Sequence, residues 1–353
     1  TKNTPEQKRR RDVCFKEMAD GKTEHLDAKV DKNEEYIVAP NKTPLDKGRY
    51  GYLPLTIQKF LDTDYRKCQI SKSNTGLRPN HPCILRYGVS QSQNQSFIAA
   101  ISAIWADEND GTTLSIQEMK QTLIESLDLD LFMTLQNGNL IEIFDPNLSD
   151  VNIDTYQNTI IFKNTNLEDS TQKSLLYKVI GAYQNFVNYL LDPKIKIDHT
   201  YLWDLISLPN PKLFKGGLNI VILDLPQDDP TDNIDIICPS NHYAATNYDF
   251  NRRTAVMMRI DGYYEPIFQL EDKGKELSII RRFNISSEHV LPNLRTMLET
   301  IMKHLNKMCK PLPSVSSNVY QFKENISLKK LEYILLLKDY KINKQVINYN
   351  GKI

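Results

Sequence analysis

Three side chains in this sequence are of the right type for nucleophilic chemistry: the hydroxyl of Ser96, the thiol of Cys238 and the imidazole of His242. Ser96 follows the polar run Gln93-Asn94-Gln95 and opens the apolar stretch Phe97-Ile98-Ala99-Ala100-Ile101, so it stands at a helix start, where free N–H groups favour an anionic nucleophile. Ser96 with His242 as base, and Asp249 or Asp235 as orienter, would make a serine triad if the loop carrying His242 folded over that helix. Cys238 and His242 stand four apart in Ile236-Ile237-Cys238-Pro239-Ser240-Asn241-His242-Tyr243, a spacing open to a thiol and its base. Pro239 makes that segment a loop, and no helix start adjoins it to activate the thiol. The plainer readings are that Ser96 caps a helix and that Asp261-Gly262 is a type I′ hairpin turn.

Other combinations are thinner. Cys68, His81 and Cys83 are mixed ligand types without the close pairs of a structural zinc site, so no metal is expected. No phosphate-binding glycine loop, dinucleotide pattern or paired-carboxylate motif occurs, and no cofactor is expected. The segment 241–253 mixes Tyr243, Tyr248, Arg252 and Arg253 with asparagines between two strands, a composition suited to an exposed binding loop and equally to a self-packed connector. The pairs Arg252-Arg253 and Arg281-Arg282 are a candidate phosphate patch, against the commoner role of surface charge.

The elements that must position these groups follow from periodicity. Apolar spacing predicts helices over 97–105, 115–127, 129–136, 170–191 and 200–206, then strands over 218–224, 234–238, 254–260 and 263–268. Helices followed by strands is an α+β order rather than a βαβ alternation. An amphipathic helix is expected over 288–310, ended by Pro311-Leu312-Pro313, and a short one through Leu55, Ile57, Phe60 and Leu61 that docks on the main body. The division expected is a polar arm over 1–45, a docking helix and loop over 46–81, a main domain over 82–270, a connecting helix over 271–310 and the start of a further domain over 311–353.

Composition narrows the function classes. With 44 basic and 44 acidic residues there is no general field to attract nucleic acid or anionic lipid. Nucleic-acid binding would have to be local, and Lys8-Arg9-Arg10-Arg11 in the polar arm is the segment for it. No apolar stretch approaches the ~18 to 20 residues of a membrane-spanning helix. Five scattered cysteines fit reduced thiols in the cytoplasm better than a disulfide framework. The start at Thr1 and the halt shortly after the turn dipeptide Asn350-Gly351 lead us to expect a parent chain that continues beyond this end.

Two segments carry a resemblance. Gln93-Asn94-Gln95-Ser96-Phe97-Ile98 resembles the Asp-Gly-Asn-Cys-Phe/Leu-Phe helix entry of the ovarian-tumour (OTU) family of papain-like deubiquitinating proteases, and Asp261-Gly262-Tyr263-Tyr264-Glu265-Pro266-Ile267 resembles its Gly-x-His-Tyr-Asp-Pro-Leu hairpin. The resemblance covers about half of the chain, from Cys83 to Gln269. It implies an α+β protease fold with Ser96 at the nucleophile's position, Tyr263 at the histidine's and Glu265 at the acidic position after it. A serine is a weaker acid than a cysteine, and a phenol with a pKa of ~10 is protonated at neutral pH and cannot serve as base.

The reading is therefore a pseudoenzyme that works through protein partners, ubiquitin-like proteins or other subunits of an assembly. A bias toward Asn, Ile, Lys and Tyr, with strings such as Gly48-Arg49-Tyr50-Gly51-Tyr52-Leu53-Pro54, is similar to large proteins of nucleocytoplasmic large DNA viruses, which places the chain in the host cytoplasm or the virion. The alternatives are an active deubiquitinase using Ser96 or Cys238 with His242, a transcription-factor segment binding DNA, and a structural component of a particle.

Overall fold

The computed structural model describes residues 36–90, 92–145, 151–226, 233–239, 248–274 and 276–309. Short runs rich in β-branched and aromatic residues become strands. They are β1 (Tyr50–Tyr52), β2 (Cys83–Tyr87), β3 (Leu218–Asp224), β4 (Asp235–Ile236), β5 (Arg253–Ile260), β6 (Tyr263–Asp272) and β7 (Leu277–Ile280). Among the described residues these join one sheet in the order β1-β2-β6-β5-β3-β4, with β7 also on β6. Neighbouring strands are antiparallel except β3 and β5, whose parallel register aligns Asp224 with Arg259.

The helices are α1 (Leu55–Phe60), α2 (Ser96–Trp105), α3 (Ile116–Glu125), α4 (Leu129–Phe132), α5 (Leu140–Ile143), α6 (Ile160–Asn164), α7 (Ser170–Leu191), α8 (His199–Ser207) and α9 (Pro292–Met308). Helix α2 is apolar all round and buried from Ser96 to Ile104, as a helix without a polar face must be. Its small residues Ala99, Ala100, Ser102 and Ala103 let neighbouring elements approach closely. Helix α3 starts on a capping box, with the Ser115 hydroxyl accepting from the Glu118 amide and the Glu118 carboxylate accepting from the Ser115 amide. Helices α7 and α8 start on Asp169 and Asp198, whose carboxylates accept first-turn amides.

Because successive strand residues point to opposite faces, the sheet has two distinct sides. On one, Tyr264 of β6 packs edge-on against Phe97 of α2, with ring centroids 5.1 Å apart. On the other, the laterally paired Asn219 and Thr254 meet the Met302 sulfur of α9. Helix α9 lays Leu294, Leu298, Ile301, Met302 and Leu305 into the core. A single buried cluster takes in residues from Ile37 to Cys309, and so includes side chains from 46–81 and 271–309.

The molecule is a mixed α+β fold with a mainly antiparallel sheet, as the element order implies. Several boundaries differ. The helix expected over 129–136 stops at Phe132, because Gln136 and Asn137 take positive φ values of 46° and 57° in a turn that leads to Gly138. The strand expected over 234–238 shortens to Asp235–Ile236, with one further bond to β3 from the Ile237 amide to the Ile222 carbonyl. Strands β1, β2 and β7 add to the four expected from sequence: each is short, and its ladder bonds come from residues distant in sequence or across a hairpin.

Candidate functional site

A tight hairpin and a helix start build the site. Asp261 and Gly262 connect β5 to β6 with φ values of 52° and 78°, positive at both central positions as a type I′ turn requires. Glycine suits the second of these, since a side chain there would be held in the left-handed region. Against this turn sits the first residue of α2. The Ser96 hydroxyl donates to the Gly262 carbonyl at 3.3 Å and accepts from the Tyr264 amide at 3.2 Å. The two segments read as the halves of a protease cleft are therefore in direct contact, through Ser96 and the main chain on either side of Tyr263.

The polar residues before Ser96 are equally committed. Gln93 Nε2 donates to the Asp261 carbonyl at 2.8 Å, Asn94 Nδ2 to the Lys194 carbonyl at 3.1 Å, and Gln95 Nε2 to the Ile195 carbonyl at 2.6 Å. Their amide N–H groups tie the helix start to the turn and to the loop before α8, where Ile197 N returns a bond to the Asn94 carbonyl. A hydrolase needs donors aimed at a developing oxyanion. Here the side-chain donors of Gln93, Asn94 and Gln95 are aimed at main-chain carbonyls.

A row of polar side chains lies beside this buried contact. Asp224, Arg259 and Tyr264 lie side by side on β3, β5 and β6. Arg259 grips Asp224 with two bonds of 2.7 Å and 2.5 Å and stands beside Tyr264 in the ladder, and the Tyr264 hydroxyl lies 2.8 Å from Nδ1 of His199 on α8. Burial pushes the Tyr264 phenol up to about 12. Burial is also the main cause holding the His199 pKa below its ordinary value, assisted by Arg259 and opposed by Asp198. His199 lies one residue before the helix expected over 200–206; the sequence signal for it is Asp198, a capping residue that puts the histidine in the first turn of a helix.

Glu265 lies elsewhere. One residue along β6 from Tyr264, it points to the opposite face of the sheet, where it receives Arg86 Nη1 at 2.7 Å and the Leu45 amide at 2.6 Å. Arg86 is fully buried, and its remaining donors reach the carbonyls of Tyr52, Ala39, Pro40 and Lys42. Glu265 is thus the counter-charge of an interior arginine that fastens the segment 39–45 to the sheet.

The other candidates separate. Cys238 is bonded to Cys309, with Cα atoms 5.4 Å apart, which removes it as a nucleophile. Cys68 and Cys83 form a second disulfide, which ends both the zinc alternative and the reading of these four cysteines as reduced thiols. Tyr248 is a core residue rather than a surface anchor: it is 3% exposed, its hydroxyl donates to the Ile220 carbonyl, and burial pushes its pKa up. Its amide donates to Asn306 of α9, so this end of 241–253 is a packed connector. Arg252 lies half-buried with Nη1 on the Ser207 carbonyl, while Arg253 is exposed at the start of β5. His242, Tyr243, Cys14 and the basic run 8–11 lie outside the described residues. Among the described residues no cluster of metal-binding side chains occurs and no helix is long and apolar enough to cross a membrane. In comparison with known proteins, no family model, no curated protein and no solved structure matches the chain.

Proposed function

We propose that this chain is a noncatalytic OTU-like domain of a larger viral protein of the nucleocytoplasmic large DNA virus type, and that it acts through contacts with protein partners. What supports the reading is the placement of Ser96. Its hydroxyl sits at a helix start facing a hairpin, the position of a protease nucleophile, yet both of its hydrogen bonds go to main chain, at Gly262 and Tyr264. A nucleophile needs a base within hydrogen-bond reach. The residue beside it on the hairpin is Tyr263, a phenol. The two disulfides favour an oxidising setting such as the virion over the host cytoplasm.

The test is incubation of the chain with ubiquitin chains and with a ubiquitin-based covalent probe. The expected result is neither cleavage nor labelling. Cleavage that disappears in Ser96→Ala or His242→Ala would restore the hydrolase reading. For the DNA-binding alternative, binding at low salt that weakens steeply as salt rises, and is lost when Lys8 to Arg11 are replaced by glutamine, would take its place.

A further inference from the structure

Arg253, Lys273, Arg281 and Arg282, drawn from separate parts of the chain, meet in space beside β7. Lys273 N donates to the Glu276 carbonyl at 3.1 Å, closing the hairpin between β6 and β7. Antiparallel alternation from that pair directs the main-chain groups of Ser278 and Ile280 toward β6, and those of Leu277 and Ile279 outward. Beyond β7 the chain bends at Arg281 and Arg282, and Phe283 exchanges two 2.8 Å bonds with Thr254 of β5. The polypeptide before Thr254 then turns away to Asp249, where Arg252 N finds its acceptor. Among the described residues, the outer edge of β7 therefore has no strand beside it, and it borders a cleft of about 780 Å³.

Charge says what suits this cleft. Arg253, Lys273, Arg281 and Arg282 line it against the carboxylates of Asp107 and Glu271. Asp107 is occupied in holding Arg281 at 3.1 Å and Arg282 at 3.3 Å, with Glu108 taking Arg282 at 2.7 Å. Arg281 also lies over the Phe268 ring, so its guanidinium is held in place rather than free to swing. Lys273 has only a loose contact of 3.8 Å to Glu271, and Arg253, at the mouth, has no carboxylate partner among the described residues. An open strand edge with spare guanidinium and ammonium groups beside it suits a ligand that offers both backbone and negative charge.

We infer that β7 is a docking edge for an extended acidic peptide, which adds as a strand along Leu277–Ile280 and delivers carboxylates to Arg253 and Lys273. This names the kind of protein partner that the proposed function calls for and rests on that reading only for its use; the contact of Ser96 with the hairpin takes no part in it.

The experiment uses the whole 353-residue chain and a fluorescein-labelled peptide of alternating glutamate and valine, followed by anisotropy. Saturable binding is expected, weakened about tenfold by Arg253→Gln or Lys273→Gln, and abolished when alternate peptide amides of the probe are N-methylated. Amide hydrogen exchange at Leu277 and Ile279 should slow on adding the peptide, a readout that needs no variant to fold. Absence of binding, equal binding of the N-methylated peptide, indifference to Arg253→Gln, or complete displacement by pyrophosphate with unchanged exchange would each overturn the proposal. Ubiquitin cleavage by a chain that still binds the peptide would overturn the noncatalytic reading and leave the docking edge intact.

Discussion

Nδ1 of His199 and the hydroxyl of Tyr264 lie 2.8 Å apart in the interior, joining the first turn of α8 to the first residues of β6. The bond commits a titratable ring to a structural partner. Around the imidazole are Asp198, Arg259, Asp224 and Lys196, with Phe97, Trp203 and Tyr264 as ring neighbours. Burial outweighs the nearby carboxylates and lowers the pKa of the folded state.

The consequence for stability has a definite sign. The unfolded chain binds a proton at His199 near the ordinary pKa of ~6.5, and the folded chain binds it only at lower pH. Stability linked to this residue is thus complete above that pH and is lost as pH falls below it. Urea unfolding between neutral and mildly acidic pH should show a decline that His199→Gln flattens. An equal decline in the variant would show that other groups carry it.

Ser96→Ala removes a hydroxyl that links the Gly262 carbonyl to the Tyr264 amide, and one buried main-chain amide loses its acceptor. The expected cost is about 1 to 3 kcal/mol by denaturant unfolding. Ser96→Cys should fall between the two, because a thiol is a poor substitute for a hydroxyl in both bonds. A neutral Ser96→Ala would mean that the hydroxyl does not tie α2 to the turn.

The ion pair of Arg86 and Glu265 is buried at both ends, with side-chain exposures of 0% and 3%. Removing one partner strands the other charge, so Glu265→Leu or Arg86→Met should cost about 3 to 5 kcal/mol. The double variant Arg86→Met/Glu265→Leu should recover much of this, since two apolar side chains leave no stranded charge. Thermal unfolding of the four proteins forms a double-mutant cycle, and additive losses would exclude the coupling.

The disulfides make a prediction about redox state. Cys238 and Cys309 are 71 residues apart, and Cys309→Ser should lower stability by about 2 to 5 kcal/mol through the looser unfolded chain. Mass spectrometry of peptides digested without reductant should find the pairs Cys68–Cys83 and Cys238–Cys309. A reductant should lower the melting temperature of the parent chain more than that of Cys309→Ser. Peptide maps showing free thiols at all four positions would reject the pairing.

Local signals sufficed for much of the frame. A continuous apolar run determined α2 and the buried strand β3, the spacing over 170–191 determined α7, and Asp261-Gly262 determined the hairpin turn, because each depends on residues near one another along the chain. The contact of Ser96 with Gly262 and Tyr264 joins segments far apart along the chain. What the tertiary structure decided was the use of each polar group. Glu265 and Arg86 each sit alone inside an apolar strand, a hint of burial, but only the register of β2 against β6 makes them partners. Likewise, the distance between Cys238 and Cys309 depends on where α9 lies against the sheet, and the fate of His199 depends on which strand residue faces α8. Periodicity reports which side of an element is apolar; the identity of the group across the gap is a long-range fact, set by packing and register.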